Sequence, residues 1–477
     1  MKKYINKIWV LTVAVVCFSI TSCSDVTELN VDPNNPTDVP AANLLTQAQY
    51  SLYNRMHSRV LNAEWSMLMV QHWSQNEYAE ESRYLVDSNS FDGSWVSFYA
   101  SVLNELTVAK NKISADENLT AARKANQLGI VDILMADAFQ AVTDLWGDVP
   151  FSEALSPEFP NPTYDSQQSI YASLLSSLDN ALTSLDVNAG SFDTGDIVAG
   201  GDVAQWKRIG ASLLLRMAMR VSDVDNGSAS TYVTKALAHG PISSNAENAI
   251  FNFDSANPDL SNPLYIDNVI NTRDDFAVSD VLVTSLEAKG DPRIEAFAAL
   301  NNDMVYRGMP YGLNDADAFA LKSVTSRPSA RVRDAAAPHV IIDWAEVAFL
   351  LAEAMERGYT SGNAADMYNA GVESSMAYWG YDDASGYLAN NPYDAANWKE
   401  SIGYEKWVAF YMNGPQAWAE WRRLDAPSLA VPAAASNPSI PVRLPYPISE
   451  ETNNGNSLDA ATSDANDLNG KVWWDVN

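Results

Sequence analysis

Residues 165–185 read Asp165-Ser166-Gln167-Gln168-Ser169-Ile170-Tyr171-Ala172-Ser173-Leu174-Leu175-Ser176-Ser177-Leu178-Asp179-Asn180-Ala181-Leu182-Thr183-Ser184-Leu185. Tyr171, Leu174, Leu175, Leu178, Leu182 and Leu185 recur at steps of three and four, which places them on one face of an α-helix. Asp165 stands where a cap belongs, with Gln168 three residues on. The period returns in Trp206, Ile209, Leu213, Leu214, Met217 and Val221, with Lys207, Arg208, Ser212 and Arg216 on other faces. A third helix opens at Asp343 and Glu346, turns Val347, Leu350, Leu351, Ala354 and Met355 inward, and stops at Gly358. Helical periodicity starts near Leu44 and runs to about residue 425, and strand-like alternation is scarce. The expectation is a mostly α chain with few short strands. Helix pairs separated by turns suggest hairpin repeats of the tetratricopeptide kind, although no segment carries that repeat's pattern cleanly.

Between the pairs lie irregular stretches at 186–202, 252–275, 301–334 and 381–397. Loops this long in a compact domain usually carry function or are disordered. The tail, 427–477, contains Pro432, Pro438, Pro441, Pro445 and Pro447 and is expected to wrap rather than form a helix.

At the front, Lys2, Lys3 and Lys7 precede an apolar run from Ile8 to Ile20, then Thr21, Ser22 and Cys23. A basic start, a short apolar core and small residues make a secretory leader rather than a spanning helix. A cysteine at that point resembles a bacterial lipoprotein signal, which implies cleavage before Cys23 and its acylation. The other cysteine, Cys17, falls in the leader, so no disulfide, thiolate metal site or nucleophilic thiol is expected in the mature chain. The expected division is 1–22 signal peptide, 23–43 extended tether rich in proline and Asx residues, and 44–477 a single binding domain. The formal charge is −30, and removing the three leader lysines leaves 27 basic against 60 acidic residues, or −33. Such a chain is a poor ligand for nucleic acid or for an anionic bilayer surface, and suits a salty habitat that screens self-repulsion.

Catalytic signatures are missing from the sequence. The four histidines, His57, His72, His239 and His339, are scattered and match no metal or triad motif. Asp223-Val224-Asp225-Asn226-Gly227 has its glycine one position early for a calcium loop and no closing glutamate, so it reads as a turn ending a helix. No pair among 60 carboxylates can be singled out as a glycosidase couple. No cofactor is expected.

Aromatics are abundant: 14 Trp, 21 Tyr and 14 Phe. Trp65, Met69 and Trp73 read as one helix facing the core. From Tyr78 to Phe91 the rings are interleaved with Asn76, Glu77, Glu80, Glu81, Arg83, Asp87 and Asn89, without an apolar stripe. Flat rings beside planar polar groups suit sugar recognition, the ring stacking on the C–H face of a pyranose. The first candidate set is Trp73, Tyr78, Arg83 and Tyr84; the second is Tyr265, Arg273 and Asp275; the third is Tyr306 and Tyr311.

An ordered set of motifs carries a family resemblance. Asn30-Val31-Asp32-Pro33-Asn34-Asn35-Pro36 comes first, then Asp144-Leu145-Trp146-Gly147-Asp148-Val149-Pro150-Phe151. Trp344-Ala345-Glu346-Val347 and Leu351-Ala352-Glu353-Ala354 follow, then Lys406-Trp407-Val408-Ala409, Asn413-Gly414-Pro415-Gln416-Ala417-Trp418 and Trp421-Arg422-Arg423. Pro441-Val442-Arg443-Leu444-Pro445-Tyr446-Pro447 and Val472-Trp473-Trp474-Asp475 close the series. Together they resemble the SusD/RagB family of nutrient-binding outer-membrane lipoproteins of Bacteroidota, its shorter branch in particular. The resemblance implies a SusD-like fold, with four tetratricopeptide-like helix pairs under a loop-rich ligand-binding layer. It implies a lipid-anchored, surface-exposed protein of the outer membrane that passes oligosaccharides, uncleaved, to a SusC-type TonB-dependent transporter. Some relatives bind peptides instead, and that alternative stays open. The rivals are a secreted all-helical glycan-degrading enzyme and a scaffold that binds only proteins. Ligand residues do not transfer through the resemblance, because the matching motifs are scaffold. Trp407, Tyr411, Trp418 and Trp421 are expected as core or helix-packing residues, and Trp146-Gly147-Asp148 at a turn after a buried helix.

Overall fold

The computed structural model describes residues 39–476. Helix α1 (Ala41–Met56) begins directly after Pro40, three residues ahead of the expected domain start, and packs on α2 (Asn104–Ala115). Cys23, the leader and most of the tether lie outside the described residues. Three further pairs follow: α3 (Ala121–Trp146) with α4 (Gln167–Ser184), α5 (Val203–Arg220) with α6 (Asn226–His239), and α7 (Trp344–Glu356) with α8 (Ala364–Trp379). The chain is therefore mostly helical, with four tetratricopeptide-like pairs as scaffold. Two more helices, α9 (Trp398–Ala409) and α10 (Gly414–Leu424), pack on each other; α9 also packs on α7.

Local chemistry accounts for the helix starts. The side chains of Asp202, Asp225, Asp343 and Asn363 each accept a backbone N–H of the first turn, satisfying donors the helix itself leaves free. Asp225 thus turns the calcium-like stretch into the junction between α5 and α6, and Asp223 pairs with Arg357 at 2.8 Å. At α4 the expected cap is corrected. Ser166 caps it, accepting from Ser169 N, while the Asp165 carboxylate accepts from Phe151 N and Ser152 N at 3.1 and 2.7 Å. Asp165 is held there because it lies on β3 (Tyr164–Asp165), paired antiparallel with β2 (Val149–Pro150).

Helix α5 is buried on more than the predicted stripe. Ser212 and Arg216 are also inside, and Arg216 grips Glu346 of α7 through two bonds of 2.6 and 2.7 Å. This follows from its central position, with α3, α4, α6 and α7 all against it. Gly210 allows the approach, since a Cβ there would lie 2.8 Å from Leu182 and 2.9 Å from Ile133. Several charged side chains in the interior are paired, Arg423 with Glu353 and Glu420 and Arg293 with Asp291 and Glu405.

The strands are short. β1 (Trp73–Gln75) pairs with β5 (Phe276–Val278), and β4 (Ala249–Phe251) with β6 (His339–Ile342), both antiparallel. Trp73 is thus on a strand, not on the helix expected from Trp65 and Met69. The tail does wrap the end of α3: Trp146 Nε1 donates to Pro445 O and Trp474 Nε1 to Asp144. It is not helix-free, since Ile448–Asn453 and Gly455–Ala461 are helical. Trp407, Tyr411 and Trp418 are buried. No described helix is long and apolar enough to cross a membrane.

Candidate functional site

The β1–β5 pair assembles the candidate surface. Its register sets Gln75 opposite Phe276, and just beyond it Asn76 N donates to Asp275 O at 2.8 Å. Residues 76–78 therefore lie beside 273–275. A third segment joins on the other side of β5, where Met309 N donates to Val278 O and Tyr311 N to Asp280 Oδ1. Three segments spread over more than two hundred residues of sequence meet at one small sheet.

At their junction Arg59 holds Glu64, Asp267 and Asp275 at 2.6, 2.5 and 2.8 Å. Burial opposes its charge, but the three carboxylates outweigh burial and hold it above the usual arginine range. Asp275 also accepts from Arg273 at 2.6 Å, and the Arg273 guanidinium lies 5.5 Å from the Tyr78 ring centroid. Tyr78 itself is 62% exposed. Around it Glu77 pairs with Lys322 at 2.8 Å, and Ala79 N donates to Asp315 at 2.6 Å. These bonds bring up the 315–321 helix, which carries the exposed ring of Phe319.

At this surface and the floor beneath it Gln71, Tyr78, Tyr84 and Thr272 have positive φ without being glycine, as do Leu155, Met304, Met412 and Asp425 in other segments. For a β-branched residue such as Thr272 that is an outlier, and such strain concentrates at binding and switch sites.

The structure separates the sequence candidates. Tyr78, Arg273 and Asp275 come together, with Tyr78 and Arg273 open to solvent and Asp275 buried beneath them. Trp73 and Tyr84 do not join them as platform rings; each is 2% exposed. Trp73 packs on Phe276 and donates its Nε1 to the Tyr411 hydroxyl at 2.9 Å. Tyr84 receives a bond from Gln71, and burial pushes its hydroxyl up to about 12. Their side chains lie beneath the surface, Trp73 against Phe276 and Tyr411 and Tyr84 against Gln71 and Tyr311. Arg83 is spent on structure, donating Nε to Ala79 O at 3.0 Å. Tyr311 is half-buried with its hydroxyl on Leu68 O, Tyr265 is half-buried on its short helix, and Tyr306 is half-buried near Glu295. Sequence reasoning missed Arg59, Glu64 and Asp267. Arg59 sits beside Val60 and Leu61 in a helical stretch and reads as an ordinary surface cation.

This architecture has known counterparts. The family model described as "Starch-binding associating with outer membrane", SusD-like, matches residues 33–447. The chain belongs to the SusD-like family. Among solved structures, this SusD-like chain is similar to a chitin-binding protein, with 28% identity, a TM-score of 0.81, and coverage of 92% of this chain and 100% of that one. A chitin-binding SusD homologue from Flavobacterium johnsoniae shares the fold at 22% identity and a TM-score of 0.80, covering 91% and 99% of the two chains. A SusD homologue from Bacteroides thetaiotaomicron does so at 24% identity and 0.77, covering 92% and 100%. No curated protein sequence matches.

Proposed function

We propose that this SusD-like protein is a non-catalytic, glycan-binding lipoprotein of the outer-membrane surface. It is anchored through Cys23 and hands oligosaccharides to a SusC-type TonB-dependent transporter. The observation that carries the reading is the exposed Tyr78 ring beside Arg273, on a backbone braced by Arg59 and three carboxylates. A solvent-open ring next to a fixed guanidinium offers stacking to a pyranose and charge-assisted bonds to its hydroxyls. Two structural relatives described as chitin-binding make N-acetylated glucan the first ligand to try.

The test is calorimetry with chito-oligosaccharides, then with malto-oligosaccharides, alongside an assay for new reducing ends. Saturable binding without cleavage is expected; cleavage would install the enzyme reading, and absence of binding to any glycan would remove the glycan reading. For the anchor and partner, a mild-detergent pull-down should recover a large barrel transporter, and Cys23→Ala should yield an unprocessed or soluble form. Persistent membrane partitioning of that variant without the transporter would refute the anchor.

A further inference from the structure

The helix Asp315–Leu321 holds a second ring close to Tyr78. Asp315, Phe319 and Lys322 fall at steps of four and three, hence on one side of that helix, which Lys322 continues in helical conformation. Both ends of that side are bonded to the residues flanking Tyr78: Ala79 N donates to Asp315 at 2.6 Å, and Lys322 Nζ to Glu77 at 2.8 Å. Phe319 lies between the two bonds. Its neighbour Ala318 is buried, whereas Phe319 is 61% exposed.

Single exposed apolar side chains are ordinary, but several gathered on mutually bonded segments mark an interaction surface. Here Asn301 Nδ2 donates to Val324 O at 2.7 Å and Asn302 Nδ2 to Ser323 O at 3.3 Å, which sets the exposed Met304 and Val305 at the far end of the same helix. Charged groups are interleaved with the rings. Lys322 Nζ lies 2.8 Å from Glu77 and 3.7 Å from Asp274, the sequence neighbours of Tyr78 and Arg273, and its side chain keeps 20% of its surface open. An ammonium has three donors, so Lys322 retains capacity for a further acceptor. The centre of a protein–protein interface is depleted of such charges, whereas a sugar hydroxyl uses both a donor and an acceptor beside the ring it covers.

We propose that Phe319 is a second stacking ring of the site, so that one extended glycan chain lies across Tyr78 and Phe319 while Lys322 bonds a hydroxyl between them. This second subsite rests on the glycan-binding reading of Tyr78. It makes chain length part of the selectivity, since only a chain that spans both rings gains from both. The bonds at Asp315 and Lys322 fix the helix, so the ring is in place before the chain arrives.

The test is calorimetry of the wild type and of Phe319→Ala, Phe319→Leu and Phe319→Trp against chitohexaose and maltohexaose, with a thermal melt of each protein. For the glycan that the wild type binds, the Ala and Leu variants should each lose affinity roughly 5- to 150-fold, the scale of removing one ring from under a stacked base, and Phe319→Trp should retain it. The melts should agree, because most of the ring lies outside the core. Leucine keeps apolar bulk without the flat face, so full affinity in Phe319→Leu would overturn stacking. Affinity lost in Tyr78→Ala but unchanged in Phe319→Ala would overturn the second ring and leave the platform standing. No binding of either glycan by the wild type would remove the platform reading and this one together. Loss of transporter recovery in a pull-down with Phe319→Ala, at full glycan affinity, would assign the ring to the protein partner instead.

Discussion

Tyr78 and Tyr84 are six residues apart, and replacing each with alanine should produce opposite results. A tyrosine contributes roughly 200 Å² of surface, and burial is worth about 25 cal/mol per Å². Tyr84, 2% exposed, then contributes about 5 kcal/mol, close to the ~3–5 kcal/mol usual for deleting a core aromatic ring. Tyr78 is 62% exposed, so the covered part is worth no more than about 2 kcal/mol, and alanine keeps some of it. For ligand binding the order reverses. Loss of a stacking ring costs ~1–3 kcal/mol in the comparable case of bases on aromatic side chains, roughly 5- to 150-fold in affinity. Denaturant unfolding and calorimetry against a chito-oligosaccharide, run on both variants, separate the two effects. Tyr84→Ala should lose most of its stability margin, and Tyr78→Ala should lose affinity with a small shift in midpoint. Unchanged affinity in Tyr78→Ala would refute the platform, and a midpoint shift matching that of Tyr84→Ala would mean that its ring belongs to the core.

Three further outcomes follow from the interior. Glu353, fully buried, accepts two bonds of 2.6 Å from Arg423 and one of 2.8 Å from Arg357, so Glu353→Gln should cost about 3–5 kcal/mol in chemical denaturation. His72, buried against Trp407 and Tyr411, is lowered to about 3 by burial, whereas the unfolded chain takes up its proton near 6.5. The His72 contribution is thus complete above pH 6.5 and lost as pH falls toward 3; relative to His72→Phe, the wild type should lose about 2 kcal/mol between pH 7.5 and 5, and parallel pH–stability curves would contradict this. Gly195 has φ +88° and its Cβ position lies 2.3 Å from Ala42 O, so Gly195→Ala should destabilise the start of α1 by more than ~1 kcal/mol, seen as lost amide protection there.

The helical scaffold was legible in the sequence because helix periodicity is local. Leu174, Leu178 and Leu182 share a face whatever the rest of the chain does, and the ordered motifs from Asp144 to Trp474 announced the family. Competition between neighbours was harder to read. Asp165 and Ser166 are both good caps, and Asp165 was withdrawn from the role only because β2 came back to meet β3. The fate of the aromatics was likewise settled late. Trp73 lies just ahead of the polar-interleaved stretch that holds Tyr78 and Tyr84, and both tyrosines have positive φ, yet the first and third rings are buried and the second is exposed. Burial of a loop side chain depends on what packs over it, and here the cover comes from residues hundreds of positions away: Tyr311, Phe276 and Tyr411. Arg59 makes the same point with charge. By itself it is one cation on a helical segment; only the folded chain gathers Glu64, Asp267 and Asp275 around it and hangs Arg273 beside the Tyr78 ring. The sequence by itself determined which segments are helical and what they must bury, since both follow from spacing and side-chain chemistry. Which rings and charges meet at the surface was decided by tertiary structure, because contacts between distant segments exist only after the scaffold has brought them together.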